Sequence, residues 1–352
     1  MADTTQKAEY TRLGSSGLRI SNPIVGGMSF GDTRWQPWVT DEAETLPILK
    51  AAYDSGINTW DTANVYSNGV SEKIFAKAIK TFNIPRERLV IMTKCYATVG
   101  EEPGLLTFTT PGIENRKEYV NQQGLSRKAI FSAVDASLKR LEMDYVDLLQ
   151  IHRYDNNTPA EETMEALHDL VKSGKVRYIG ASSMWTWQFA HLQNTAALNK
   201  WTKFISMQNH YSLLYREEER EMIPYCKATG VGLIPWSPLA RGNLTRLPSS
   251  NNESARSIED SKRGGMGLAT VGTSEVDKAI IKRVHEIAEK KGWSMATVGL
   301  AWINSKVAAP IVGMSSVKRV NEALEAVGKK LEPEEVAYLE ELYVPRPIVG
   351  HS

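Results

Sequence analysis

Cysteine is nearly absent: Cys95 and Cys226 are the only two in 352 residues. That excludes a disulfide framework and a cysteine-rich zinc site, and it suits a reducing compartment. An excess of charge of either sign is missing too, with 42 basic residues against 41 acidic ones and a formal charge of +1. A chain so balanced, with no basic run, lacks the electrostatic footprint of a nucleic-acid or anionic-membrane binder. No apolar run is long enough to span a bilayer, and the opening MADTTQKAEY has no apolar core of a secretory signal. The closing VGHS is no targeting address. No clustered His/Asp/Glu set argues for a metal. The expectation is a cytoplasmic protein with no nucleic-acid, membrane or metal partner.

What is there is ordinary globular composition, 42% hydrophobic and 24% charged, in a very regular order. Eight short runs read as strands: NPIVGGMSF, GINTWDTA, RLVIMTKC, YVDLLQIH, VRYIGASS, FISMQNHY, VGLIPWSP and AAPIVGMS. Several are almost continuously apolar, as strands covered on both faces are. Amphipathic stretches at 41–55, 71–82, 126–141, 159–173, 217–229 and 274–291 read as helices, several opening on a cap or acidic first turn. Eight β/α alternations predict an α/β fold with the sheet closed as a single (β/α)8 TIM barrel. Residues 1–352 then form one domain, with its core at about 13–342. The earlier YTRLGSSGLRIS reads as a β-hairpin that caps the barrel floor. Long loops follow strand three (97–124) and strand seven (240–273), and 333–352 reads as a helix with a proline-containing tail. Loops after barrel strands lie on the face that carries active sites.

That rule makes WDTANVYSNG informative. Asp61 ends strand two, with Tyr66 five residues on; Lys94 ends strand three, and His152 ends strand four. Taken singly, each has an ordinary explanation: a turn acid, a packed phenol, a solvated ammonium, a structural imidazole. Taken together, at one depth on one rim, they form a set that suits proton donation to a carbonyl oxygen. A free phenol, with a pKa of about 10, is too weak an acid for that work at neutral pH. A neighbouring ammonium favours the phenolate, a carboxylate keeps that ammonium charged and in place, and an imidazole donates a second hydrogen bond.

With those residues in view, the chain resembles the aldo-keto reductases. The segments NTWDTANVYSNGVSE, VIMTK, DLLQIHR and IGASS carry the resemblance, which runs from about Leu13 to Leu342. The family's Asp, Tyr, Lys and His tetrad falls on Asp61, Tyr66, Lys94 and His152. GMSFG and RWQPW are most similar to the fungal aryl-alcohol dehydrogenase and versiconal hemiacetal acetate reductase branch. The resemblance implies NADP(H) bound across the barrel mouth without a Rossmann domain, and the chain has no Gly-x-Gly-x-x-Gly after a strand. It assigns the nicotinamide carboxamide to Ser182, Ser183 and Gln208. It assigns ring stacking to Trp236, which by itself reads equally as core packing. Ser237, Leu239, Arg241 and Gly242 resemble the pyrophosphate loop. Gly313, Ser315 and Arg319 resemble the site of the adenosine 2′-phosphate, where backbone amides at a helix start favour an anion. Glu322 is retained near the adenine, while the family's neighbouring Asn is replaced by Ala323.

The expected reaction is reduction of an aldehyde or ketone to the alcohol. Trp35, Trp38, Trp185 and Tyr211 are the candidate substrate contacts, joined by Trp187, Phe108 and Tyr119 in an aromatic mouth suited to a flat, aromatic or polyketide-like carbonyl. The loops offer no evident clamp for a substrate carboxylate, with Arg34 and Arg153 as the exceptions. The expected assembly is a monomer or weak homo-oligomer. One alternative stays open: a cofactor-binding regulatory subunit resembling the potassium-channel β-subunits, which keep the same tetrad.

Overall fold

The computed structural model describes residues 7–248, 259 and 271–351. Most of the loop expected at 240–273, namely 249–258 and 260–270, lies outside the described residues, as do residues 1–6 and 352.

Strands β1 (Glu9–Arg12) and β2 (Arg19–Asn22) form the antiparallel hairpin. The eight barrel strands follow as β3 (Ile24–Gly26), β4 (Thr59–Asp61), β5 (Val90–Cys95), β6 (Val146–Ile151), β7 (Val176–Ser182), β8 (Phe204–Gln208), β9 (Gly232–Leu233) and β10 (Ile311–Gly313). All neighbours run parallel, and β10 pairs back onto β3. Between β9 and β10 the ring is closed by backbone bonds: Ala308 donates to the Leu233 carbonyl at 3.0 Å and Ile311 to that of Pro235 at 2.9 Å. The fold is a (β/α)8 barrel, one of the architectures in which a parallel sheet hides both faces.

Helices α1 (Glu42–Asp54), α2 (Val70–Thr81), α3 (Arg127–Leu141), α4 (Ala160–Lys172), α5 (Thr186–Leu198) and α6 (Met222–Thr229) follow strands β3 to β8 in turn. After β9 come α7 (Glu275–Lys291) and α8 (Met295–Asn304); after β10 come α9 (Val317–Glu325) and α10 (Pro333–Glu340). Serine side chains accept from the first turns of α3, α7, α8 and α9, satisfying amides that no helix can bond internally.

Sequence periodicity missed two helices. In α5 the buried face includes Gln188, Gln193 and Thr195, which blurs the apolar stripe. Gln193 is buried because its amide exchanges two hydrogen bonds with the backbone of Phe204 at the start of β8, at 2.9 and 3.1 Å. In α8 every residue from Met295 to Ile303 is buried, so there is no stripe to see. A third expectation, one helix over 217–229, is corrected to a 3-10 turn at Glu217–Glu219 followed by α6. Glu217 and Glu218 are buried, and their carboxylates bind Arg220, Tyr343, Asn209 and His351 instead of facing water.

Inside the barrel the two-residue period of a strand sorts side chains into layers. Leu13 and Ile20 from the hairpin region pack with Ile24, Val90, Met92, Leu148, Ile234 and Ile311 as an apolar plug. Two residues further along two of these strands the inward positions turn polar, and β4 is polar at both levels. Met92 is followed by Lys94, Leu148 by Gln150, and Thr59 by Asp61. Gly180 leaves room in this layer: a Cβ there would stand 2.2 Å from Ser206 Oγ and 3.2 Å from Gln150 Cγ.

Candidate active site

Asp61 sits at the centre of the polar layer. Its Oδ2 accepts from Lys94 Nζ at 2.5 Å, and its Oδ1 accepts from the amides of Gln150 (2.9 Å) and Gln208 (3.1 Å). Gln208 also donates to Gln150 Oε1 at 2.8 Å. Lys94 is fully buried; its ammonium donates to the Thr62 carbonyl at 2.8 Å and to the phenolic oxygen of Tyr66 at 3.3 Å. Burial works against that charge. Asp61 and Tyr66 outweigh it, so the lysine pKa is raised above its ordinary value.

Tyr66 is 9% exposed and lies in a short turn that its neighbours hold rigidly. Ser67 and Asn68 adopt left-handed backbone, with φ of 47° and 50°. Ser67 Oγ accepts from the Asp32 amide, and Asn68 binds the loop after β5 through the carbonyls of Glu102 and Leu105 and the amide of Gly100. Non-glycine residues persist in such conformations only where the surroundings hold them there. Sequence reading passed over Gln150 and Asn68. The signal for Gln150 was a polar residue in the inward phase of DLLQI.

His152, just past β6, presents its ring edge-on to Tyr66, with centroids 5.9 Å apart. Burial, then the nearby charges of Arg153 and Lys94, hold its pKa well below the usual 6.5. A histidine whose folded pKa is depressed contributes stability above its unfolded pKa of about 6.5 and loses it as the pH falls further. We therefore expect the His152 ring to remain neutral at pH 6. Imidazole nitrogen shifts followed by NMR check this, and an inflection at or above 6.5 would contradict it.

The residues assigned to a cofactor by resemblance fall into two groups. Ser182 Oγ donates to the Gln208 carbonyl at 2.7 Å, Ser183 has φ of 48°, and Trp236 Nε1 donates to Ser183 Oγ at 3.0 Å. Trp236 stacks on His210 (4.3 Å, 11°), which stacks on Tyr215 (4.2 Å, 13°). Beyond Trp236 the backbone is left-handed at Ser237, Ala240, Arg241 and Gly242, while Leu239 packs near Gly299 of α8. Farther round the rim, Gly313 and Ser315 are exposed before α9. Arg319 lies in its first turn, bonded to Glu322 at 2.6 Å. Ala323 is buried against the core, while Asn321, two positions earlier, is exposed.

The aromatic mouth separates into three parts. Trp38 and Phe108 each pack edge-on against Trp35, which is centred 6.5 Å from Tyr66; Tyr119 is buried in the loop after β5. Trp185 and Trp187 are exposed, against His351 and Tyr154 respectively. Tyr211 corrects the expectation of a substrate contact. It is 2% exposed, its phenol reaches Glu219 at 2.5 Å, and its ring lies 5.2 Å from Trp302 of α8, so it packs between sheet and helices. The C-terminal tail was also missed: Gly350 lies against Trp236, while His351 reaches Glu218 at 2.8 Å. Among the described residues no His/Cys/Asp/Glu cluster suits a metal, and no helix is long and apolar enough to cross a membrane.

Comparison with known proteins places this geometry in context. The profile described as the aldo/keto reductase family matches residues 24–344. An aldo-keto reductase of Fusarium vanettenii is 58% identical, over 98% of this chain and 94% of its own length. The versiconal hemiacetal acetate reductase of Aspergillus parasiticus is 53% identical over 97% and 98%. A putative aryl-alcohol dehydrogenase of Schizosaccharomyces pombe is 52% identical over 97% of each.

Proposed function

The chain belongs to the aldo/keto reductase family, and from that membership we propose that it is an NADPH-dependent reductase of an aromatic or polyketide-like aldehyde or ketone, with Tyr66 as the proton donor. Oxidoreductase activity with a nicotinamide cofactor on small carbonyl compounds is the property of the family. The observation that carries the finer reading is the buried chain of contacts from Asp61 through Lys94 to the Tyr66 oxygen.

The residues present fit the cofactor. An indole held by Ser183 at the rim, a strained left-handed turn directly after it, and an arginine in the first turn of a helix suit a ring, a pyrophosphate and a further phosphate. When bound, the nicotinamide supplies the hydride. The protein's part is to place the carbonyl oxygen and deliver its proton. Tyr66 gives that proton up, and the ammonium beside it stabilises the negative charge left on the phenolic oxygen. Asp61, held by Gln150 and Gln208, keeps the ammonium in place. Neutral His152 donates a hydrogen bond to the same carbonyl oxygen. Trp35 and Trp38 wall the site and keep water out.

The aromatic substrate class rests on that wall and on the names of the relatives, an aryl-alcohol dehydrogenase and a versiconal hemiacetal acetate reductase. NADPH consumption with a panel of aromatic aldehydes and quinone-like ketones tests the reading. Tight NADPH binding without turnover of any of them would favour the regulatory alternative. Cofactor preference has its own test. Arg319→Ala is expected to weaken NADPH by on the order of tenfold, a charge-assisted bond offset by release of Glu322, and NADH far less. Equal losses for the two cofactors would remove Arg319 from the 2′-phosphate site.

A further inference from the structure

Several half-buried arginines among the described residues are matched to carboxylates. Arg86 reaches Asp147, Arg140 reaches Glu72, Arg216 reaches Glu219 and Glu340, and Arg346 reaches Asp277. Arg153 follows His152 on the same rim as Tyr66 and is also half-buried. Among the described residues it forms no ion pair, and its hydrogen bond is from Nη1 to the His152 carbonyl at 2.6 Å. The acid two positions on is committed elsewhere: Asp155 accepts from the amides of Leu125 and Asn157 and from the Thr158 hydroxyl, at 2.7, 2.9 and 2.7 Å. Burial lowers the Arg153 pKa, while the nearby phenols of Tyr66 and Tyr96 act against that shift. The other candidate clamp, Arg34, is exposed and bound twice to Asp32, at 2.6 and 2.9 Å.

A cation taken out of water without a counter-ion is costly, and such a cost persists where a ligand completes the pair. We propose that Arg153 binds a negatively charged oxygen of the substrate, and that the preferred substrates carry a carboxylate or an ionised hydroxyl beside the carbonyl that is reduced. The proposal rests on the reading of the Tyr66–His152 face as the carbonyl site. Because Arg153 adjoins His152, the anionic oxygen and the reacting carbonyl lie within a few bonds of each other. The 2-oxo acids and ortho-hydroxy aromatic carbonyls meet that condition. In either, the carbonyl carbon takes a hydride and its oxygen a proton, while the anionic group keeps its charge and does not react. A planar guanidinium is suited to such an oxygen pair.

The test compares substrates that share a skeleton and differ in charge: phenylglyoxylate against its methyl ester, and 2-hydroxybenzaldehyde against 2-methoxybenzaldehyde. Wild type, Arg153→Leu and Arg153→Lys are assayed with NADPH. Phenylglyoxylate binding to the NADP-loaded enzyme is measured separately by calorimetry. Arg153→Leu is expected to lose roughly ten- to hundredfold in kcat/KM and in affinity for the anionic member of at least one pair, with a much smaller loss on its neutral partner and partial rescue by Arg153→Lys. Which pair shows the effect identifies a carboxylate or a hydroxyl as the group bound. Equal losses on charged and neutral partners, or a loss centred on NADPH affinity, would overturn the proposal. If wild type turns over none of the probes, the reductase reading fails. The calorimetry then still decides Arg153, since unchanged phenylglyoxylate affinity in Arg153→Leu would reject it.

Discussion

Tyr66→Phe is expected to lower kcat by about 10²- to 10⁴-fold, the range that a positioned general acid contributes. At 1.36 kcal/mol per tenfold change, that is about 3–5 kcal/mol of barrier. The fold should hardly notice. Among the described residues the Tyr66 oxygen has one hydrogen-bond partner, Lys94 Nζ at 3.3 Å, and the ammonium keeps Asp61 and the Thr62 carbonyl when it is gone. The ring itself stays packed among Trp35, Val65 and Val39. NADPH affinity, measured by fluorescence titration, should therefore stay within a few fold while steady-state turnover collapses. Turnover near that of wild type would remove Tyr66 as the acid. Loss of cofactor binding as well would show that the variant disturbs more than proton transfer.

Lys94→Met is expected to cost about 3–5 kcal/mol of unfolding free energy, because it leaves Asp61 as a buried carboxylate facing two amides and no cation. Turnover should fall in parallel. Removing both charges, in the double variant Asp61→Asn with Lys94→Met, should restore much of the stability and none of the activity. A neutral pair of similar size in place of a buried ion pair is commonly tolerated. Denaturant unfolding of the three proteins decides the point, and a Lys94→Met enzyme as stable as wild type would defeat it. The same pair sets an alkaline limit. Since the folded lysine pKa is raised, its stabilising contribution is complete below the unfolded value of about 10.4 and is lost as pH rises through the folded one.

Much of this architecture could be read from local patterns. RLVIMTKC and YVDLLQIH are apolar enough to mark strands buried on both faces, and each ends in a polar residue that a barrel must carry to its C-terminal rim. That reasoning reached Asp61, Lys94 and His152 one strand at a time. Where a helix had no stripe, as in α8, or used glutamines to tie down a neighbouring strand, as in α5, the same reasoning failed.

Contacts between distant residues are another matter. Gln150 and Gln208 lie 89 and 147 positions from Asp61, and only strand register and closure of the ring bring their amides to one carboxylate. Tyr211 looked like part of the mouth because it follows a strand, yet its backbone turns the ring out to Trp302. Arg34 and Arg153 were equivalent as letters until Asp32 was found neutralising one and no described carboxylate the other. The tail that lies on Trp236 carries no pattern at all in VGHS. The sequence alone determined the alternating elements and the rim on which polar strand ends emerge, because side-chain periodicity and turn chemistry act over a few residues. Which charges meet, which rings face the mouth and which of Arg34 and Arg153 finds a carboxylate among the described residues follow from separations in space that closure of the barrel sets.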